Sequence, residues 1–324
     1  MTMRRMLPVF LVAAFALATN PAQAEMKSQW VEYTHGDTKL KAYMVYDDRL
    51  VGQRPAVLMI HAREGMTPKT LGLAEIWAKL GYVSFAADIF GYGQGVLPKD
   101  VAEMQAQTAI YTKDRTLMQA RTQAGFDALV KNPMVDASKI ALIGYCFGGA
   151  VGVEFGATGA PLVANVSIHG SFRDHEAGWA KNARGMYLIL HGAEDQSYPL
   201  TAVDRVIQEL RAWKVPFQLE VYSGTGHGFS TPKNGAEERA NAQSIASTAR
   251  TLKELFRYLI VAVSATLRLE GGAARKRHPC SFPRLPAARL SALGGRCSFS
   301  QPGCAHRSGE DDCVPIHLPF TARS

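Results

Sequence analysis

The stretch KIALIGYCFGG, residues 139–149, decides how this chain is expected to fold. Lys139–Ile143 is an apolar run of strand type, and Gly144-Tyr145-Cys146-Phe147-Gly148-Gly149 follows it directly. A strand passing through a glycine-flanked turn into a helix forms a nucleophile elbow, with the reactive residue at its tip. The glycines meet a steric need. Gly144 and Gly148, two positions either side of Cys146, present no side chain to the adjoining strand or helix. Cys146 is therefore predicted at the carboxyl end of a sheet, facing a pocket. A helix starting near Phe147 would add a field that favours a thiolate and an oxyanion. The plainer alternative is a buried, inert cysteine in a Gly-rich loop.

Outward from this stretch, apolar runs alternate with amphipathic helical patterns from about Gln29 to Leu259. Trp30–Thr34 and Leu40–Tyr46 read as an antiparallel pair turned at His35-Gly36-Asp37. Ala56–His61, Tyr82–Asp88, Leu162–His169, Met186–His191 and Pro216–Tyr222 read as further strands. Ala56–His61 is continuously apolar, as in a sheet covered on both faces. Helices are expected at Pro68–Leu80, Lys113–Lys131, Ala202–Trp213 and Glu237–Ile260. Phe90–Pro98 is Gly-rich loop, and the wider stretch 89–115 shows no period that assigns it. The alternation predicts an α/β fold with a mostly parallel sheet flanked by helices on both faces.

Two loops hold candidate partners for Cys146. Met186–His191 leads into Gly192-Ala193-Glu194-Asp195, and Pro216–Tyr222 leads into Ser223-Gly224-Thr225-Gly226-His227. In a fold with this elbow the acid follows the nucleophile in sequence and the histidine comes last. Asp195 and His227 match that order, each in the loop after a strand. His227 would take the Cys146 proton, and Asp195 would orient the imidazole and stabilise its charged form. The backbone N–H groups of Phe147 and of a residue in 62–64, assigned to Arg63, would receive the oxyanion. Glu194 is expected to point away, and Asp88, His61 and His191 to be structural. His169 and His175 fall near the predicted pocket side as minor candidates for substrate contact. His278, His306 and His317 lie in the C-terminal tail and are set aside.

Composition narrows the function classes. The 324 residues, 47% hydrophobic and 20% charged, suit one sizeable domain with extensions. Arg4 and Arg5, the apolar run Leu7–Ala18 and Ala22-Gln23-Ala24 read as a signal peptide over 1–24. This predicts a periplasmic or secreted protein with no membrane segment after cleavage. The net charge of +8 is concentrated in the extensions, because residues 25–260 hold 25 basic and 24 acidic side chains. A balanced domain gives no electrostatic case for nucleic acid or an anionic membrane. The domain is expected over 25–263. The tail 264–324 is Arg-, Pro- and Cys-rich and is expected to be disordered, possessing the character of an accidental extension. Its Cys280, Cys297, Cys304 and Cys313 have no close CxxC spacing and fit no zinc pattern well.

The motifs GYCFGG (144–149), HGAED (191–195) and SGTGHGF (223–229), set within roughly 25–260, resemble those of the dienelactone hydrolase family. The resemblance implies an α/β-hydrolase fold and a monomeric, carboxymethylenebutenolidase-like enzyme. It implies hydrolysis of a small-molecule ester or lactone through a Cys nucleophile, with no metal and no cofactor. Two departures stand out. The family's resting thiol is bound by a glutamate on the loop after the third strand. Here that loop is His61-Ala62-Arg63-Glu64-Gly65, with Ala62 at the aligned place, so the role passes to Glu64. The family's arginine soon after the catalytic histidine is absent, leaving Arg63 or Lys233 as substitutes and weakening the case for dienelactone itself as substrate. Two other readings compete: a non-catalytic binding protein on a hydrolase scaffold, and a thiol-redox protein. A binding protein has no need of Cys146, Asp195 and His227 together. Redox exchange lacks a resolving cysteine near Cys146 in sequence.

Overall fold

The computed structural model describes residues 26–173 and 175–272, with side chains through residue 257. The signal peptide expected over 1–24, and all of the tail beyond Gly272, lie outside the described residues.

Eight strands form one sheet in the order β1-β2-β4-β3-β5-β6-β7-β8. β1 (Met26–His35) and β2 (Thr38–Asp47) form the antiparallel hairpin, turned at Gly36-Asp37, and β2 pairs antiparallel with β4 (Val83–Ala87). From β4 onward every pairing is parallel, through β3 (Arg54–Ile60), β5 (Val135–Tyr145), β6 (Ala164–Ile168), β7 (Met186–Gly192) and β8 (Phe217–Tyr222). This is an α/β-hydrolase sheet. Parallel strands need crossovers, so both faces are covered. On one face Ala74 and Trp77 of α1 (Pro68–Lys79) and Leu252 and Phe256 of α6 (Gly235–Gly272) pack on Val57, Met59, Ile143 and Val166. On the other, α3 (Arg115–Val130) and α4 (Phe147–Ala157) cover Leu58, Ile60 and Leu142, while α5 (Leu200–Ala212) covers Tyr187 and Ile189.

Two expectations need correction. The stretch 89–115 contains a 3-10 turn at Tyr92–Gln94 and a full helix, α2 (Val101–Lys113). Asp100 caps α2 by accepting from the Glu103 N–H at 2.9 Å, an Asp-x-x-Glu capping signature present in the sequence. Asp114 ends α2 and caps α3 through the Leu117 N–H, so the expected single helix from Lys113 begins after this break. The closing helix also runs on to Gly272, into the stretch expected to lack regular structure.

The elbow is built as its glycines require. Cys146 adopts φ 53° and ψ −114°, a left-handed conformation rarely tolerated by a side-chain-bearing residue. A Cβ at Gly144 would strike the carbonyl of Gly148, and one at Gly148 would strike the carbonyl of Ile60 in β3. The strained residue is thus clamped between two strands and a helix that approach backbone to backbone. Gly144→Ala should cost about 3 kcal/mol of stability or prevent folding, because only backbone could yield. Urea denaturation of the variant beside the parent checks this.

Candidate active site

Three loops at the carboxyl ends of parallel strands bring the predicted residues together. Cys146 follows β5, Asp195 follows β7 and His227 follows β8. His227 Nε2 lies 3.0 Å from Cys146 Sγ, and His227 Nδ1 lies 2.8 Å from Asp195 Oδ2. The Asp195 side chain is fully buried, whereas His227 keeps about a quarter of its side chain exposed. The backbone N–H groups of Ser197 and Tyr198 each donate to Asp195 Oδ1 at 3.0 Å, fixing the carboxylate in the orientation that serves the imidazole.

The electrostatics of this line favour charge separation. Burial opposes the ionised form of all three groups, but their mutual contacts prevail. Burial raises the Cys146 thiol, yet the hydrogen bond and charge of His227, with contributions from Ser171 and the Phe147 N–H, hold it below the ordinary thiol range. Burial lowers His227, yet Asp195 and Cys146 raise it to about 9. Burial likewise raises Asp195, and the His227 and Tyr198 contacts outweigh it and hold the carboxyl low. The contacts thus favour a thiolate, an imidazolium and a carboxylate in line.

Cavities of about 240 Å³ open on two sides of the sulfur, and Cys146, His227 and Arg63 line both. Phe147 borders the first at the opening turn of α4, with Thr108 and Thr112 of α2 opposite. Glu64 and Lys233 border the second. Glu64 makes no hydrogen bond to the sulfur among the described residues. Its Oε1 lies 3.7 Å from Lys69 Nζ, and its Oε2 is buried without a partner. The carboxylate thus meets Lys69, and the resting-thiol contact expected of Glu64 is not among the hydrogen bonds of the described residues.

Other expectations resolve by their partners. Asp88 accepts from the N–H groups of Lys41, Gly91 and Gly93, tying the loop after β4 to β2. His61 accepts from the Ile89 N–H, and His191 donates to the Tyr198 carbonyl, so both are structural anchors. His169 lies on the wall of the second cavity, edge-on to the His227 ring with centroids 5.2 Å apart and Nε2 2.7 Å from Ser230 Oγ. Burial, reinforced by the nearby His227 charge, keeps it neutral. His175 borders neither cavity; its Nδ1 meets Glu154 of α4 at 2.7 Å.

Three residues of this site escape a reading by motif. Ser171, after β6, places its hydroxyl 3.4 Å from the sulfur. Tyr198 supports Asp195 through its N–H and sets its ring 5.1 Å from that of His227. Glu194 reaches across to accept from the Thr225 N–H at 2.8 Å, while its own N–H donates to the Thr225 carbonyl. That double link joins the Asp195 loop to the His227 loop. Glu194→Ala should leave the buried Thr225 N–H without its charged acceptor, costing about 2 kcal/mol. Chemical denaturation measures the loss, and a parallel fall in thiolate absorbance near 240 nm would register drift of His227 from the sulfur.

Comparison with known proteins gives the family. Residues 40–257 match the model of the dienelactone hydrolase family. A putative carboxymethylenebutenolidase of Synechocystis is 25% identical over 249 residues, 72% of this chain and 97% of that protein. A carboxymethylenebutenolidase homolog of Mus musculus is 27% identical over 66% of this chain and 86% of its own length. Among solved structures, a dienelactone hydrolase-like promiscuous phosphotriesterase from metagenomic libraries superposes with a TM-score of 0.67. It is 33% identical, and the match covers 72% of this chain and 99% of that one. On the match over residues 40–257, and with a sheet and loop arrangement to suit, this chain belongs to the dienelactone hydrolase family of α/β-hydrolases.

Proposed function

We propose that this hydrolase cleaves activated carboxylic esters or lactones by way of an acyl-enzyme on Cys146. The observation that carries the proposal is the unbroken line Sγ–Nε2–Nδ1–Oδ2, at 3.0 and 2.8 Å, with open cavities beside the sulfur. An inert buried cysteine has no use for an imidazole braced by a buried carboxylate.

The chemistry follows from the charges. The Cys146 thiolate attacks the acyl carbon, and the carbonyl oxygen becomes an oxyanion received by the N–H groups of Phe147 and Arg63. Collapse of this intermediate breaks the bond to the alkoxy oxygen, which takes the proton from His227 Nε2. The imidazole, now neutral, draws a proton from water as the water adds to the thioester. Expulsion of the thiolate then frees the acid and restores the ion pair. Asp195 holds the ring in place and offsets its charge, without itself taking the proton. A thiolate is also a good leaving group, so the first intermediate returns to substrate unless the alcohol departs readily. Activated esters and strained lactones meet that condition; amides and plain alkyl esters do not. One chain acting alone, with no metal or cofactor, completes this cycle. The leader-like residues 1–24 are the ground on which we assign the activity to the periplasm or the exterior.

Cys146→Ala should abolish turnover of 4-nitrophenyl acetate, by at least about a thousandfold, and mass spectrometry of the parent quenched during turnover should show one acetyl group on Cys146. Retained turnover in the variant would remove Cys146 from the role of nucleophile. The pH profile of kcat/KM should be bell-shaped. Its acid limb lies below the ordinary thiol range, since attack needs the thiolate. Its alkaline limb falls as pH rises through about 9, where His227 loses the proton owed to the leaving group.

A further inference from the structure

The sulfur of Cys146 has a second polar side chain beside it that the mechanism above does not use. Ser171 Oγ lies 3.4 Å from Sγ, and the N–H of the same residue donates to the Cys146 carbonyl at 3.0 Å. One residue therefore grips both the side chain and the backbone of the strained elbow. Ser171 itself is held tightly and is only 7% exposed. Two residues before it, His169 takes φ 43° and donates its N–H to the Leu190 carbonyl at 2.8 Å. One residue after it, Phe172 is buried and stacks on His191. A side chain at Gly170 would strike Ser167 and Phe172, so the loop is closely packed next to Ser171.

We propose, resting on the reading of Cys146 as nucleophile, that the Ser171 hydroxyl is, after His227, the second side-chain hydrogen-bond donor to the resting thiolate and the group that does here what Glu64 was expected to do. A thiolate offers only lone pairs, so the hydroxyl must be the donor. His227 Nε2–H at 3.0 Å and Ser171 O–H at 3.4 Å then share the sulfur as acceptor. A hydroxyl suits this place better than a carboxylate, whose charge would repel the thiolate unless it were protonated. When the sulfur is acylated its charge disappears and both donors lose their acceptor. When the thiolate is expelled at deacylation, both bonds form again. Ser171 thus favours departure of the sulfur from the acyl group at the expense of some nucleophilicity in the attack.

The other charged and titratable groups around the sulfur form a constant background. Arg63 and Glu64 belong to the loop after β3, and Lys69 to α1. His169 and Arg173 flank Ser171, and Asp195 and Lys233 lie on the loops that carry and follow the His227 contact. None is changed by substitution at Ser171.

The test is the pH dependence of Cys146 alkylation by iodoacetamide in the full chain, which needs no ester substrate. Ser171→Ala should raise the apparent thiol pKa by about one unit, the loss expected for one hydrogen bond to a charged group. Alkylation well below the parent's pKa should slow about threefold, a roughly tenfold smaller thiolate fraction being partly offset by the greater reactivity of each thiolate. The plateau above both pKa values should rise about threefold, because a more basic thiolate is the stronger nucleophile. Ser171→Thr should keep the parent profile, whereas Ser171→Val, of the same shape but without the hydroxyl, should follow Ala. The Thr and Val pair decides the matter if Ala folds poorly. An unchanged pKa in both Ala and Val, or Thr behaving as Val, would overturn the proposal. A shifted pKa in a protein that hydrolyses no ester would uphold Ser171 and refute the hydrolase reading instead.

Discussion

The contact between a sulfur and an imidazole nitrogen at 3.0 Å is the constraint around which this structure is arranged. Transfer of a proton across it creates two charges in a site where Cys146 is only 8% exposed. Neither charge is stable there alone, since burial penalises each. The contacts favour the pair because each charge has the other as its neighbour, and because Asp195 backs the imidazole from its other nitrogen. Parallel strands deliver the three residues to one end of the sheet, and β6 adds Ser171 at the same end. The strain at Cys146 serves that end. A residue in an ordinary conformation would continue the strand or enter the helix, and its side chain would join the core.

Much of this was legible in the sequence because it is local. A strand followed at once by G-x-C-x-G-G constrains the backbone within six residues, and Gly144 and Gly148 are needed for contacts found where expected. Asp195 and His227 were legible through their order and their place just after strands. The covered sheet was legible in continuous apolar runs such as Ala56–Ile60, now buried between helices on both faces. Helix α2 was not found, although Asp100 and Glu103 mark its start, because its one buried residue, Tyr111, leaves no apolar stripe to read.

What escaped is non-local. Ser171 meets the sulfur across 25 residues of chain, and Glu194 meets Thr225 across 31. A serine or glutamate in a loop bears no mark of its partner; only the spacing of neighbouring strands brings the two together. Glu64 illustrates the converse. It sits in the expected loop and lines the second cavity with Cys146, yet the partner its carboxylate meets is Lys69, five residues on at the start of α1. Arg63 borders both cavities, whereas Lys233 borders only the second, so of the two basic residues considered as substitutes Arg63 is the better placed to meet substrate on either side. These differences lie in the parts of the site that choose a substrate, and they leave the reacting line itself intact.

The most direct measurement is the charge of His227 in the resting protein, followed by nitrogen-15 NMR of the imidazole from pH 5 to 10. An imidazolium that persists through neutrality and titrates near pH 9 in the parent, and loses its proton near neutrality once Cys146 is replaced by alanine, is the predicted result. A neutral ring at pH 7 in the parent, with a titration indifferent to Cys146, would contradict the account.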